Sequence, residues 1–118
     1  QQAQKLGFKL ILTTDHGTIY VKKPSKVVGD RETSTNIRYK TGRSLTYEKS
    51  DVWAVSNPEK LFLPKGNLSS KYIFAKNNIF LAYPKNYNHF VNYYKETYQH
   101  GGISLEEVII PICVLEPK

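Results

Sequence analysis

The chain carries three histidines, His16, His89 and His100, and two of them stand at glycine-flanked junctions. His16 belongs to Thr14-Asp15-His16-Gly17, directly after an apolar run at residues 8–13. A carboxylate and an imidazole side by side are suitable ligands for a divalent ion such as zinc. Adjacent strand residues point to opposite faces, so both reach one ion only where the chain bends, and Gly17 permits a bend. On these two residues alone, an aspartate capping a turn beside an exposed histidine is the more common arrangement. His100 precedes Gly101-Gly102 and then Ser104, which opens a Ser-x-x-Glu capping box closed by Glu107. Two glycines let a backbone approach a ligand closely, and a helix start offers N–H groups to an anion, although Gly-Gly also serves simply as a loop breaker. Each motif is weak alone. The scarcity of histidine makes the two stronger together.

Charge suggests a polyanionic ligand. The formal net charge is +7, and residues 22–49 hold eight basic residues (Lys22, Lys23, Lys26, Arg31, Arg38, Lys40, Arg43, Lys49) against Asp30, Glu32 and Glu48. That segment supplies +5 of the total, enough to attract phosphates, and Arg38 and Lys40 are the candidate phosphate contacts on charge alone. The alternative is a solvated basic surface. Tyr83, Tyr87, Tyr93, Tyr94 and Tyr98 crowd one stretch with His89 and Phe90. Such rings can stack on single-stranded bases, but packing in or near a core is their commoner fate. Cys113, on an apolar closing strand, reads as an inert core residue and excludes any internal disulfide.

These residues need elements to hold them. Residues 1–6 read as the end of a helix stopped by Gly7, and residues 8–13 as a largely buried strand, together the αβ half of a βαβ unit. Ligands in open α/β sheets bind outside the carboxyl ends of strands, where Asp15-His16 would stand. Residues 18–22 form a further strand ended by Pro24, and 25–36 an irregular loop. Short strands follow at 37–40 and at Val52–Val55, then a turn with Asn57 as cap and Pro58 at its first position. Lys71–Ala75 and Ile79–Ala82 flank Asn77-Asn78 and predict a β-hairpin. A short helix falls within 87–99, one helical turn follows Ser104, and 109–115 close the chain as a strand whose Pro111 argues for an edge or a bulge.

A length of 118 residues fits one domain. The longest nearly uncharged apolar run covers residues 108–115, far short of the ~20 needed to span a membrane, and no secretory signal is visible. The chain contains no methionine and opens at Gln1, so it is expected to be an excerpt of a longer protein.

The strings Leu12-Thr13-Thr14-Asp15-His16-Gly17, Val28-Gly29-Asp30-Arg31 and Asn36-Ile37-Arg38-Tyr39-Lys40, and above all the run from His100 through Glu107 to Pro111, resemble the carboxyl-terminal part of the PglZ domain, a branch of the alkaline phosphatase superfamily. From Asp15 onward the chain is similar to PorX-like response regulators linked to type IX secretion, in which a PglZ domain follows a receiver domain. The resemblance implies an α/β fold: residues 1–118 as the carboxyl-terminal fragment of an alkaline-phosphatase-like α/β/α sandwich with a β-rich insertion between His16 and His100. It implies two zinc ions in the intact domain. Asp15 and His16 match the pair on the metal that contacts the nucleophile, and His100 matches a histidine of the other metal. The Thr or Ser nucleophile and further Asp and His ligands would lie upstream of Gln1, so the fragment alone is expected to be inactive. The implied activity is phosphodiester hydrolysis on oligonucleotides in the cytoplasm, with the receiver domain and signalling proteins as partners and no membrane insertion. Half a sandwich leaves sheet edges and apolar faces without partners, so the fragment is expected either to self-associate or to be the ordered remnant of a longer chain. A signalling module with little hydrolysis is the alternative. A nucleic-acid-binding domain without metal rests only on charge and aromatics.

Overall fold

A computed structural model describes residues 2–66 and 68–117. Helix α1 covers Gln2–Lys5; Gly7 follows with φ +71°, the left-handed stop that glycine adopts freely. Gln1, expected to belong to that helix, lies outside the described residues. Strand β1, Leu10–Thr13, occupies the predicted apolar run but pairs antiparallel with the closing strand β11, Ile112–Leu115. The expected βαβ geometry is therefore absent from this pair. Neither strand is buried: all eight residues are exposed, because among the described residues no layer covers either face. Cys113 lies on this ribbon and is exposed, not a core residue. Pro111 stands just before β11, outside the ladder.

The interval between His16 and His100 is mostly β. Strand β2, Ile19–Val21, pairs antiparallel with β10, Thr97–Gln99. Pro24 does not end the preceding strand; it lies within β3, Lys23–Lys26, which runs parallel to β9, Ile79–Ala82. That two-stranded pairing leaves one side of β3 without a ladder, where a residue lacking an N–H is tolerated. Short strand β4, Val28–Gly29, falls within the expected loop at 25–36 and pairs antiparallel with β6, Leu45–Thr46, beyond it. Strand β8, Lys71–Ala75, is the middle of a three-stranded antiparallel sheet between β5, Tyr39–Gly42, and β7, Val52–Val55.

The predicted hairpin is the clearest departure. β8 and β9 have the expected bounds, and Asn77 takes a left-handed φ of 45° in the turn between them. Yet they enter different sheets. The cause is visible in β9, all four residues of which are buried. Ile79 and Leu81 join one core with Val27, Val52, Ile73 and Ala75; Phe80 and Ala82 join a second with Ile19 and Val21. A strand with both faces buried serves two cores at once, as its period of two dictates. Helix α2, Tyr87–Tyr94, lays Tyr87, Val91 and Tyr94 against the second core. The last helical turn, α3, covers Leu105–Val108. No helix among the described residues is long and apolar enough to cross a membrane.

Candidate metal centre

The two histidine motifs meet because of a ladder. β2 begins three residues after His16, and β10 ends immediately before His100. Their antiparallel register sets Gln99 opposite Ile19, which brings the chain entering β2 beside the chain leaving β10. The His16 and His100 rings stack with centroids 3.8 Å apart and planes 11° from parallel. Asp15 follows the carboxyl end of β1, as the sequence predicts for that strand.

Close backbone packing fixes the arrangement. The Gly17 N–H donates to the Glu107 carbonyl at 2.9 Å. A Cβ on Gly17 would collide with the Glu106 carbonyl oxygen and stand 2.8 Å from that of Ile109. Gly17 thus permits an approach to α3 rather than merely a bend. On the other side, Gly101 has φ +96°, and Gly102 donates to Glu107 Oε1 at 2.9 Å.

Both loops depend on Glu107. Its buried carboxylate closes the predicted capping box by accepting from the Ser104 N–H and hydroxyl, and it also receives Arg38 Nε at 2.9 Å and Nη2 at 3.0 Å. Burial works to raise its carboxyl, but the Arg38 hydrogen bonds and charge, with Gly102 and Ser104, outweigh that and hold it below the usual carboxylate range. Arg38 is fully buried, with further bonds to the carbonyls of Ala75 and Ile79. Its guanidinium is committed inside the protein, so the structure gives it a positioning role where charge had suggested a phosphate contact. The capping box was legible in the sequence; its arginine, 69 positions away, was not.

Lys40 is also buried, beside Tyr83 rather than at the histidine pair. The rest of the basic segment is dispersed: Lys23 pairs with Asp51 at 2.8 Å and Arg43 with Glu32 at 3.0 Å, while Lys22, Lys26, Arg31 and Lys49 remain exposed. His89 lies on α2 against Phe90 and Tyr93. Of the tyrosine group, Tyr87 and Tyr94 pack on the second core, whereas Tyr93 and Tyr98 are exposed.

The donor chemistry of Asp15 and His16 fits a metal in part. His16 Nδ1 lies 2.8 Å from the Gly17 carbonyl, which can only accept, so Nδ1 carries a proton, and in the neutral ring this tautomer puts the lone pair on Nε2. Nε2 stands 3.6 Å from Asp15 Oδ1. Two ligands of one tetrahedral zinc stand about 3.3 Å apart at its usual bond lengths, so little movement would let both share an ion. The carbonyl bond behind the ring is the support metal-bound histidines normally have. Among the described residues, no three His, Cys, Asp or Glu side chains converge on a common point. The set is a pair plus a stacked neighbour.

No curated protein matches the chain. A family model described as the BREX system PglZ alkaline phosphatase-like domain matches residues 2–115, nearly the whole chain. The chain belongs to this PglZ alkaline-phosphatase-like family, and that membership suggests phosphoesterase-type activity.

Proposed function

We propose that the chain is the metal-binding carboxyl-terminal portion of a PglZ-type zinc phosphodiesterase with an α/β/α sandwich fold, acting on phosphoesters such as oligonucleotides. We place it in a cytoplasmic two-component response regulator of the PorX-like kind linked to type IX secretion. The observation that supports the reading best is the stack of His16 on His100 beside Asp15. The in-plane lone pairs of two stacked rings lie in separate, nearly parallel planes and do not converge on one point. They therefore suit two neighbouring ions, and two-metal phosphoesterase centres hold ions about 3.5–4 Å apart.

In this reading Asp15 Oδ1 and His16 Nε2 serve one metal and His100 serves the other, with the remaining ligands and the nucleophile supplied from outside the chain. Zinc held there would lower the pKa of the attacking hydroxyl and offset charge on the phosphoryl group. The chain's own contribution is to orient the His16 ring and fix its tautomer through the Gly17 carbonyl bond, leaving Nε2 to face a metal, and to hold both imidazoles in place through Glu107. Exposed Lys22, Lys26, Arg31 and Lys49 favour approach of a polyanionic strand.

The test uses the full-length protein that carries this chain, with bis(p-nitrophenyl) phosphate as substrate. Loss of groups behind a metal ligand costs about 10–100-fold, and loss of a ligand should cost more. His16→Ala and His100→Ala should therefore each lower zinc content and cut kcat/KM by more than about 100-fold, with His89→Ala neutral. Undiminished zinc and turnover in both variants would overturn the assignment. Partner binding without zinc or turnover in the wild type would favour the signalling module.

A further inference from the structure

Lys40 is 1% exposed, and the metal centre makes no use of it. Its Nζ donates to the Thr35 carbonyl at 3.2 Å and stands 4.3 Å from the centre of the Tyr83 ring. No described carboxylate pairs with it. A buried ammonium without an anion is costly, and Lys40 keeps two N–H donors beyond the one given to Thr35. Burial pushes its pKa down to about 8.

Lys40 lines a cavity of about 210 Å³ together with Thr35, the rings of Tyr83, Phe90 and Tyr94 and the aliphatic Ile37, Leu81 and Ala82. A second depression, lined by Pro84, Lys85 and Asn86, shares Tyr83 and Phe90 with it. An apolar cavity of about 150 Å³ takes one benzene, so this one has room for a single ring and a small polar group. The Tyr83 hydroxyl is already directed at the carbonyls of Thr33 and Ser34, at 3.1 and 3.3 Å. One cation with two spare donors among carbon walls matches a monoanionic carboxylate; a phosphate dianion would find too few donors.

We propose that this cavity binds a small planar monocarboxylate, its carboxylate on Lys40 Nζ and its ring against Tyr83, Phe90 and Tyr94. The site shares no lining residue with the histidine pair and does not depend on the phosphoesterase reading. The other titratable groups at the cavity are the phenols of Tyr83 and Tyr94, and burial pushes Tyr83 up.

Benzoate is the probe, with NMR of the lysine side-chain nitrogens as the readout. Saturating benzoate should raise the Lys40 pKa by at least one unit, because the bound anion favours the ammonium. Affinity should fall as pH rises past the free-state value. Benzyl alcohol, which keeps the ring and lacks the charge, should bind at least tenfold more weakly, as should benzoate to Lys40→Met. Inorganic phosphate should leave the Lys40 titration unmoved. The proposal fails if benzoate does not shift the wild-type Lys40 titration, if phosphate shifts it as far, or if Lys40→Met binds benzoate unchanged. Should that variant not fold, the wild-type titration decides alone.

Discussion

A buried carboxylate must find donors for its oxygens, and Glu107 has five: Arg38 Nε and Nη2, the N–H groups of Gly102 and Ser104, and the Ser104 hydroxyl. Removing one member of a buried ion pair strands the other, at a cost of about 3–5 kcal/mol. Glu107→Ala and Arg38→Met should each lower stability by about that amount in urea titrations, whereas breaking the exposed Arg43–Glu32 pair should cost less than about 1 kcal/mol. Glu107 also makes the protein acid-sensitive. Its folded pKa lies below the unfolded value near 4.5, so its contribution is full above that pH and is lost as pH falls through the folded value. Asp51 has the same sign, with the Lys23 hydrogen bond as the main cause. Stability should thus decline below about pH 4.5, and less steeply in Glu107→Gln. Lys40 acts at the other end. Its folded pKa is lowered from 10.5 to about 8, so the unfolded chain binds more protons between these values and stability should rise with pH across that window. Lys40→Met should abolish the rise, measured by chemical denaturation at several pH values. Gly17→Ala should separate the histidine rings by driving the chain off α3, readable as loss of ring-current shifts at His16 and His100.

Elements with a strong local signal lie where the sequence places them. Val52–Val55, Lys71–Ala75 and Ile79–Ala82 match their β-branched and aromatic runs, α3 its capping box, and the end of α1 its Gly7. Pairing was less legible, because it depends on which core receives each face. Asn77-Asn78 signals a turn, but no local signal shows that β9 leaves the sheet of β8 to divide its side chains between two cores. The candidate site divides in the same way. Its histidines and glycines stand out by type and spacing, but Arg38 reaches Glu107 only through tertiary packing, and by charge alone it reads as a candidate phosphate contact. Burial likewise separates β9 from β1, although both are apolar. Phe80→Ala removes a ring with no exposure and should cost about 3–5 kcal/mol; Phe8→Ala, at a residue 62% exposed, should stay within about 0.5 kcal/mol. Equal losses in thermal unfolding would mean that the β1 region is packed after all.

At the scale of the whole molecule, the radius of gyration is 18.4 Å, against about 13.5 Å for a compact chain of this length. The excess agrees with a β1–β11 ribbon that belongs to neither core. Its register sets Leu10 opposite Leu115 and Leu12 opposite Cys113 on one face, and Ile11 opposite Val114 and Thr13 opposite Ile112 on the other. Both faces are apolar, the pattern of strands inside a covered sheet, yet Ile11 is 59% and Ile112 is 69% exposed. An isolated two-stranded ribbon is marginally stable in water, and each of its strands offers an unpaired edge to another chain. The isolated 118-residue chain should therefore self-associate, with a second copy covering the ribbon. Ile11→Lys with Val114→Lys places two like charges on one face and should shift sedimentation velocity toward monomer at equal concentration. The melting temperature of the two cores should change little, because neither residue touches them. A wild-type chain that stays monomeric to high concentration, with an ordered ribbon, would show that these apolar faces need no cover.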